Sequence, residues 1–226
     1  AYAKLIGHGE SLNFARTTTG DGFYIWNRSR GIDANIALYH LLMLILADNA
    51  ADHRASNSDN LIPTLRTCLH VGAHYEFYQP EALNPTTFSY IVGDVTIELA
   101  RMIEHERPQQ ILVGSFRAPM YGSDGDSVEI IDSVRYIEQI QRYLISLTGF
   151  ELGGRKIESV LCYLTGEQTF NGHFDISKYS LVDKHHRNHS VFNAKLNVHL
   201  ADGQSIYLGL QEGELGNFSQ LRAADR

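Results

Sequence analysis

The sequence predicts an α+β fold with helices packed on a mostly antiparallel sheet, and three stretches point there. Short runs such as "FYIW" and "QQILVGS" are rich in the β-branched and aromatic residues that suit a pleated, half-buried surface. "IALYHLLMLILA", from Ile36 to Ala47, is apolar on every side, as a helix is when most of its faces are covered. "VTIELARMIEHE" instead carries its apolar residues at helical spacing.

In chain order, "LNFARTTT" and "FYIW" read as two strands joined at the tight "GDG", a hairpin with Asp21 at its tip. Asp33 is expected to cap the apolar helix. That run is roughly a dozen residues against the about 20 that span a bilayer, so a core helix is expected and no membrane insertion of this segment. The Asn, Asp and Ser of "DNAADHRASNSDN" mark a loop. "TLRTCLHVGAHYEF" reads as the next strand, with Gly72 marking a bulge or a close approach. "FSYIVGD" reads as strand then turn, Asp94 as the cap of the next helix, and "QQILVGS" as a strand behind Pro108. Residues 1–115 thus run strand, strand, helix, strand, strand, helix, strand.

The second half opens on "DSVEIIDSVRYIEQIQRYLISLTG", whose apolar residues at 130, 131, 134, 137, 140, 144 and 147 form an amphipathic stripe. Asp126 or Ser127 would cap this helix and Gly149 would stop it. Core packing and a dimer surface are both open to it. "KIESVLCYLTG", "KYSLVDKH", "HSVFNAKLNVHL" and "QSIYLGLQ" read as strands, the last two joined as a hairpin across "ADG".

A chain of 226 residues with 43% apolar composition can bury one good core with a sizeable extension. The formal charge of -7 argues against non-specific binding to nucleic acid or an anionic membrane, so an anionic ligand would need local positive charge or a metal. Cys68 and Cys162 have neither zinc-site nor disulfide-framework spacing, which suggests a reducing, cytoplasmic setting. The opening on Ala1 rather than Met suggests a further segment upstream. No P-loop, HExxH or GxSxG motif occurs.

The order of four pieces resembles the class III adenylate and guanylate cyclase homology domain. They are "TGDGFYIW", the Ala- and Leu-rich helix, "LRTCLHVGAHYE", and "VGDVTIELARMIEHERPQQILVGS" with its Gly, Asp, Ala, Arg and Met in register. The resemblance covers about half the chain. It implies a ferredoxin-like cyclase homology core over residues 1–120, its first strand upstream of this chain. Residues 121–226 would be a C-terminal α/β extension, one amphipathic helix plus strands, either continuing the same sheet and domain or forming a small second module.

In function, the resemblance implies conversion of ATP or GTP to a 3′,5′-cyclic nucleotide and pyrophosphate at a homodimer interface. Family members hold two divalent ions, Mg2+ or Mn2+, with two aspartates; Asp21 matches the second, and the first belongs to the upstream strand. Gly20 and Gly22 would let the phosphate chain approach the backbone. Arg101 matches the arginine that stabilises charge on the transferred phosphate. Ile97 stands where the family has a ribose-orienting asparagine, and Thr17 and Tyr90 occupy the base-reading positions, a pair that identifies no purine. Lys184 or Lys195 could supply the positive charge brought by the family's closing hairpin. Ile97 and the unusual base pair favour a catalytically degenerate domain that binds nucleotide or a protein partner in signalling, and an unrelated α+β interaction domain remains a third reading.

Two histidine groups carry other readings. His70 and His74, four apart on one expected strand, would share a face as partly buried rings. "KHHRNH", Lys184 to His189, reads as a polar turn between strands, with a metal or phosphate cluster as the sharper alternative.

Overall fold

The computed structural model describes residues 14–20, 22–55, 62–80, 87–168, 174–215 and 219–220. The first half comprises β1 (Phe14–Thr19), β2 (Gly22–Asn27), α1 (Ile32–Ala55), β3 (Thr67–Leu69), β4 (Tyr75–Pro80), β5 (Thr87–Val92), α2 (Asp94–His105) and β6 (Ile111–Gly114). The second half adds β7 (Arg117–Tyr121), β8 (Val128–Asp132), α3 (Ser133–Tyr143), β9 (Glu151–Leu152), β10 (Arg155–Leu164), β11 (Gly166–Gln168) and β12 (Phe174–Ile176). It closes with β13 (Lys178–Val182), β14 (Asn188–Leu200), β15 (Ser205–Leu208) and β16 (Ser219–Gln220). The fold is mixed α+β.

One strand organises the sheet. β14 is 13 residues long and pairs antiparallel with β13 and β6 along its first half and with β10 and β15 along its second. β3 adds parallel to β6, while β16 and β9 extend the sheet from β13 and β10. Strands from both halves of the chain therefore lie in one eight-stranded sheet. β1–β2, β4–β5, β7–β8 and β11–β12 are separate antiparallel hairpins.

Alternation along the strands assigns the helices to faces. Val113, Ala194, Leu196 and Val198 point into a core shared with Tyr39, Met43 and Ala47 of α1 and Ile137 and Ile140 of α3. Their neighbours Leu112 and Val191 point the other way, into a smaller cluster with Met102 of α2. Successive side chains on a strand face opposite sides, so α1 and α3 cover one face of the sheet and α2 the other. Tyr136 joins α3 to α1, donating from its hydroxyl to Asn35 O at 3.0 Å and meeting the Tyr39 ring edge-on at 6.4 Å.

Several boundaries differ from expectation. α1 is 24 residues, continuing through Asp48–Ala55, where a loop is expected; Ala50 and Ala51 pack on the core and carry the helix on. At that length α1 is long and apolar enough to cross a membrane by length and composition, and half of its most apolar window is buried here. Asp33 sits within the first turn of α1 and Asp94 is the first residue of α2, whose N-cap is Gly93. The stretch expected as a single strand from Thr64 to Phe77 breaks into β3 and β4. The close approach expected at Gly72 is present, since a Cβ there would lie 3.2 Å from Val95 Cβ.

The expected helix starting near Ser127 begins at Ser133 instead. Val128–Asp132 form β8, and the cap is Asp132, which accepts from Arg135 N at 2.9 Å. Asp124 earlier in the loop accepts from the N–H groups of Asp126 and Ser127 and so closes the β7–β8 turn. Gly149 does fall at the expected stop, with φ of 87° just past a 3₁₀ turn at Leu144–Leu147. The β14–β15 hairpin forms across Ala201–Gly203 as expected.

Candidate functional site

α2 starts on a backbone that glycine suits. Gly93 has φ of 149°, and a Cβ there would lie 2.8 Å from Ala73 O, so the helix begins tight against the segment between β3 and β4. Thr96 Oγ1 donates back to Gly93 O at 2.7 Å. Val95 and Met102 then turn inward, Ile97 outward, and Glu98 and Arg101 flank the buried stripe.

That stripe meets the turn joining β13 to β14. Asp183, buried at the start of the turn, accepts from the N–H groups of His185 and Arg187 at 2.8 and 3.0 Å. Its other oxygen lies 3.3 Å from His189 Nε2 and 3.4 Å from Arg101 Nε. His189 Nδ1 lies 2.8 Å from Glu98 Oε2, and Arg101 also donates to Glu104 at 3.2 Å. The backbone N–H of Arg187 foremost, then His189 and the N–H of His185, hold the Asp183 carboxyl well below its usual range. Burial alone would push the His189 imidazole down, but Glu98 and Asp183 outweigh it and hold it above its usual value.

Lys184 follows Asp183 directly and is exposed. Lys195 is buried on β14 at 4% exposure, and burial lowers its amine against the pull of Glu214. Of the two lysines, only Lys184 therefore belongs to an exposed turn held beside Arg101. In "KHHRNH", the rings of His185 and His186 are exposed and only His189 is enclosed.

The other expected site residues lie elsewhere. β1 and β2 form the expected hairpin, with Thr19 opposite Gly22 and Gly20 at φ of 60°; Asp21 lies outside the described residues. Thr17 is half-buried on β1 opposite Tyr24. Tyr90 is exposed on β5 opposite Phe77. The described residues thus place Thr17, Gly20 and Gly22 on one hairpin, Tyr90 on another and Arg101 on α2. No group of three or more His, Cys, Asp or Glu among them could hold a metal ion.

His70 and His74 do not share a strand; they bracket the irregular link between β3 and β4. The His70 ring packs 5.9 Å from that of Phe116 and against Gly114, and burial lowers its imidazole, Glu98 pulling the other way. Sequence reasoning missed Glu98, Asp183 and His189 as a group. The one usable signal was the histidine-rich turn, since Glu98 meets His189 across 91 residues of chain.

The β4–β5 hairpin adds a second feature. Tyr75, Phe77, Tyr90 and Val92 share one of its faces and are 74%, 57%, 42% and 44% exposed. Its other face is tied to the end of β2, where Arg28 donates to Glu76 at 2.8 Å and lies 5.8 Å over the Tyr78 ring. No protein-family model, curated protein or solved structure matches this chain.

Proposed function

We propose that this chain is a nucleotide cyclase homology domain that binds a purine nucleoside triphosphate, ATP or GTP, at a homodimer interface in the cytoplasm. There it would form a 3′,5′-cyclic nucleotide and pyrophosphate: the ribose 3′-oxygen bonds to the α-phosphorus, the bond to the β-phosphate oxygen breaks, and the hydroxyl proton passes to solvent. The observation that carries the reading is the convergence of Arg101 on α2 with the Lys184 turn through their shared contact to Asp183. Arg101 is thereby set beside a turn that carries the exposed Lys184, and local positive charge in an acidic chain is what an anionic phosphate chain requires. The uncovered aromatic face of β4–β5 supports the homodimer, because a second copy would bury it. Magnesium or manganese held with the help of Asp21 would neutralise charge on the triphosphate.

A second reading, a non-catalytic nucleotide-binding or protein-interaction module for signalling, is favoured by Ile97. It is apolar and 53% exposed where a ribose-orienting residue is expected. The discriminating experiment is an assay on the full-length protein with ATP and GTP separately, in magnesium and in manganese, reading product by mass. Cyclic product lost in Asp21→Ala supports the enzyme. Metal-dependent nucleotide binding without product supports the second reading, and absence of both removes the enzyme and the nucleotide-binding module and leaves protein interaction.

A further inference from the structure

Where the C-terminal half of α1 meets β15 and the starts of β3 and β6 lies a cavity of about 270 Å³. Leu46, Ala50, Ile111 and Leu208, all packed on the main core, supply its apolar wall. At about 30 Å³ per liquid water it has room for on the order of nine, so a molecule of roughly eight to ten non-hydrogen atoms would fill it.

His53, in the last turn of α1, lines this cavity, and its Nε2 is buried with no hydrogen-bond partner among the described residues. Buried polar atoms are nearly always paired, so an orphaned nitrogen at a cavity marks a place for a ligand. Arg54, beside it in sequence and exposed, donates to Ser205 O at 2.6 Å, a contact that uses one of the five guanidinium N–H groups. Gln110 is engaged elsewhere, accepting from Arg107 N at 3.0 Å and donating to Asn193 at 3.4 Å. Gln109 also lines the cavity and has φ of 67°, at the third position of the turn in which Gln110 N donates to Arg107 O. After a proline at the second position, glycine or asparagine is the ordinary choice there, so glutamine accepts backbone strain and sets an amide at the cavity.

No Asp, Glu or Lys is among the described lining residues, and Arg54 gives the cavity a positive rim in a chain of formal charge -7. Glu106, which accepts from the N–H of the lining residue Thr67, is pushed up to about 8 by burial and carries little charge at neutral pH. The carbonyl end of α1 disfavours an anion, so an anion here needs both donors. Two donors beside an apolar wall suit a group with two oxygens and an apolar body, whereas the further oxygens of a phosphate would meet aliphatic carbon.

We propose that this cavity binds a small monocarboxylic acid, its carboxylate accepting from His53 Nε2–H and Arg54 and its aliphatic or aromatic body lying on Leu46, Ala50, Ile111 and Leu208. None of the described residues of the nucleotide reading lines the cavity, so the two stand independently.

The test uses the full chain with benzoate, hexanoate and uncharged benzamide as probes. Binding is read by calorimetry and by the ring resonances of His53, identified by their loss in His53→Gln. Benzoate and hexanoate are expected to bind and to shift those resonances, with benzamide roughly tenfold weaker or more. Arg54→Gln should weaken benzoate roughly tenfold. Ala50→Leu, which fills the cavity without altering a donor, should remove binding, its unfolding midpoint reporting whether it folds. Should it unfold, nuclear Overhauser contacts from the probe to Ala50 and Leu208 in the wild type take its place. Absence of carboxylate binding, which leaves the cavity to water, overturns the proposal. So does benzamide binding as tightly as benzoate, benzoate binding with the His53 resonances unmoved, or unchanged binding in a folded Ala50→Leu.

Discussion

Gln141 of α3 meets the backbone of Cys162 on β10, accepting from its N–H at 2.6 Å while its own amide reaches Val160 O at 3.4 Å. One side chain thus occupies a donor and an acceptor that would otherwise line an open strand edge. Gln141→Ala is expected to lower stability by about 1–2 kcal/mol in denaturant unfolding. An unchanged midpoint would mean that water serves those groups equally well.

Glu106 gives a pH dependence of definite sign. Burial pushes its carboxyl up to about 8, against the pull of the Thr67 N–H at 2.7 Å and of Cys68. A carboxyl raised in the folded state binds its proton more tightly there than when unfolded, so its contribution to stability falls as pH rises from the ordinary carboxylate range towards about 8. His189, also raised, adds a decline in the same direction as pH climbs through its folded value. Unfolding measured across that range should show the loss, and Glu106→Gln should flatten the part due to Glu106. A wild-type curve that rises with pH there would refute the assignment.

Gly93→Ala should be costly for local reasons. The added methyl would meet both an unfavourable φ and the carbonyl of Ala73 at 2.8 Å. A loss of about 2–4 kcal/mol is expected in chemical denaturation. A loss no larger than that of an exposed helical Ala-to-Gly change would show that α2 starts differently.

The aromatic face of β4–β5 makes a prediction about assembly. Tyr75→Ser with Phe77→Ser removes two exposed side chains and should leave the circular dichroism spectrum unchanged while shifting sedimentation from dimer to monomer. A wild-type chain that sediments as a monomer at high concentration would remove the homodimer.

Strands and helices with a strong period were legible, β10, β13, β14 and α2 among them. Ambiguity arose where two codes overlapped. Ile131, Val134 and Ile137 fit a helical stripe, yet Val128, Ile130 and Ile131 are equally β-branched, and the boundary is set by the β7–β8 pairing through Asp132 and by the hydrogen bond from Arg135 N to Asp132. The polar loop expected after Ala47 failed for the opposite reason, because Ala50 and Ala51 had a core to pack on that composition alone does not reveal. The contact between Glu98 and His189 is a product of sheet topology, which local spacing does not encode.

The position of β14 in the chain carries a consequence for synthesis. β6 exposes the edge that β14 will fill, and its residues Ile111, Leu112 and Val113 are all buried in the finished protein. Residues 188–200 leave the ribosome after β3, β6, β10 and β13, so these strands emerge before their central partner exists. Nascent chains stopped before Leu200 are expected to remain protease-sensitive and to engage holdase chaperones, with protection arriving in one step once β14 is released.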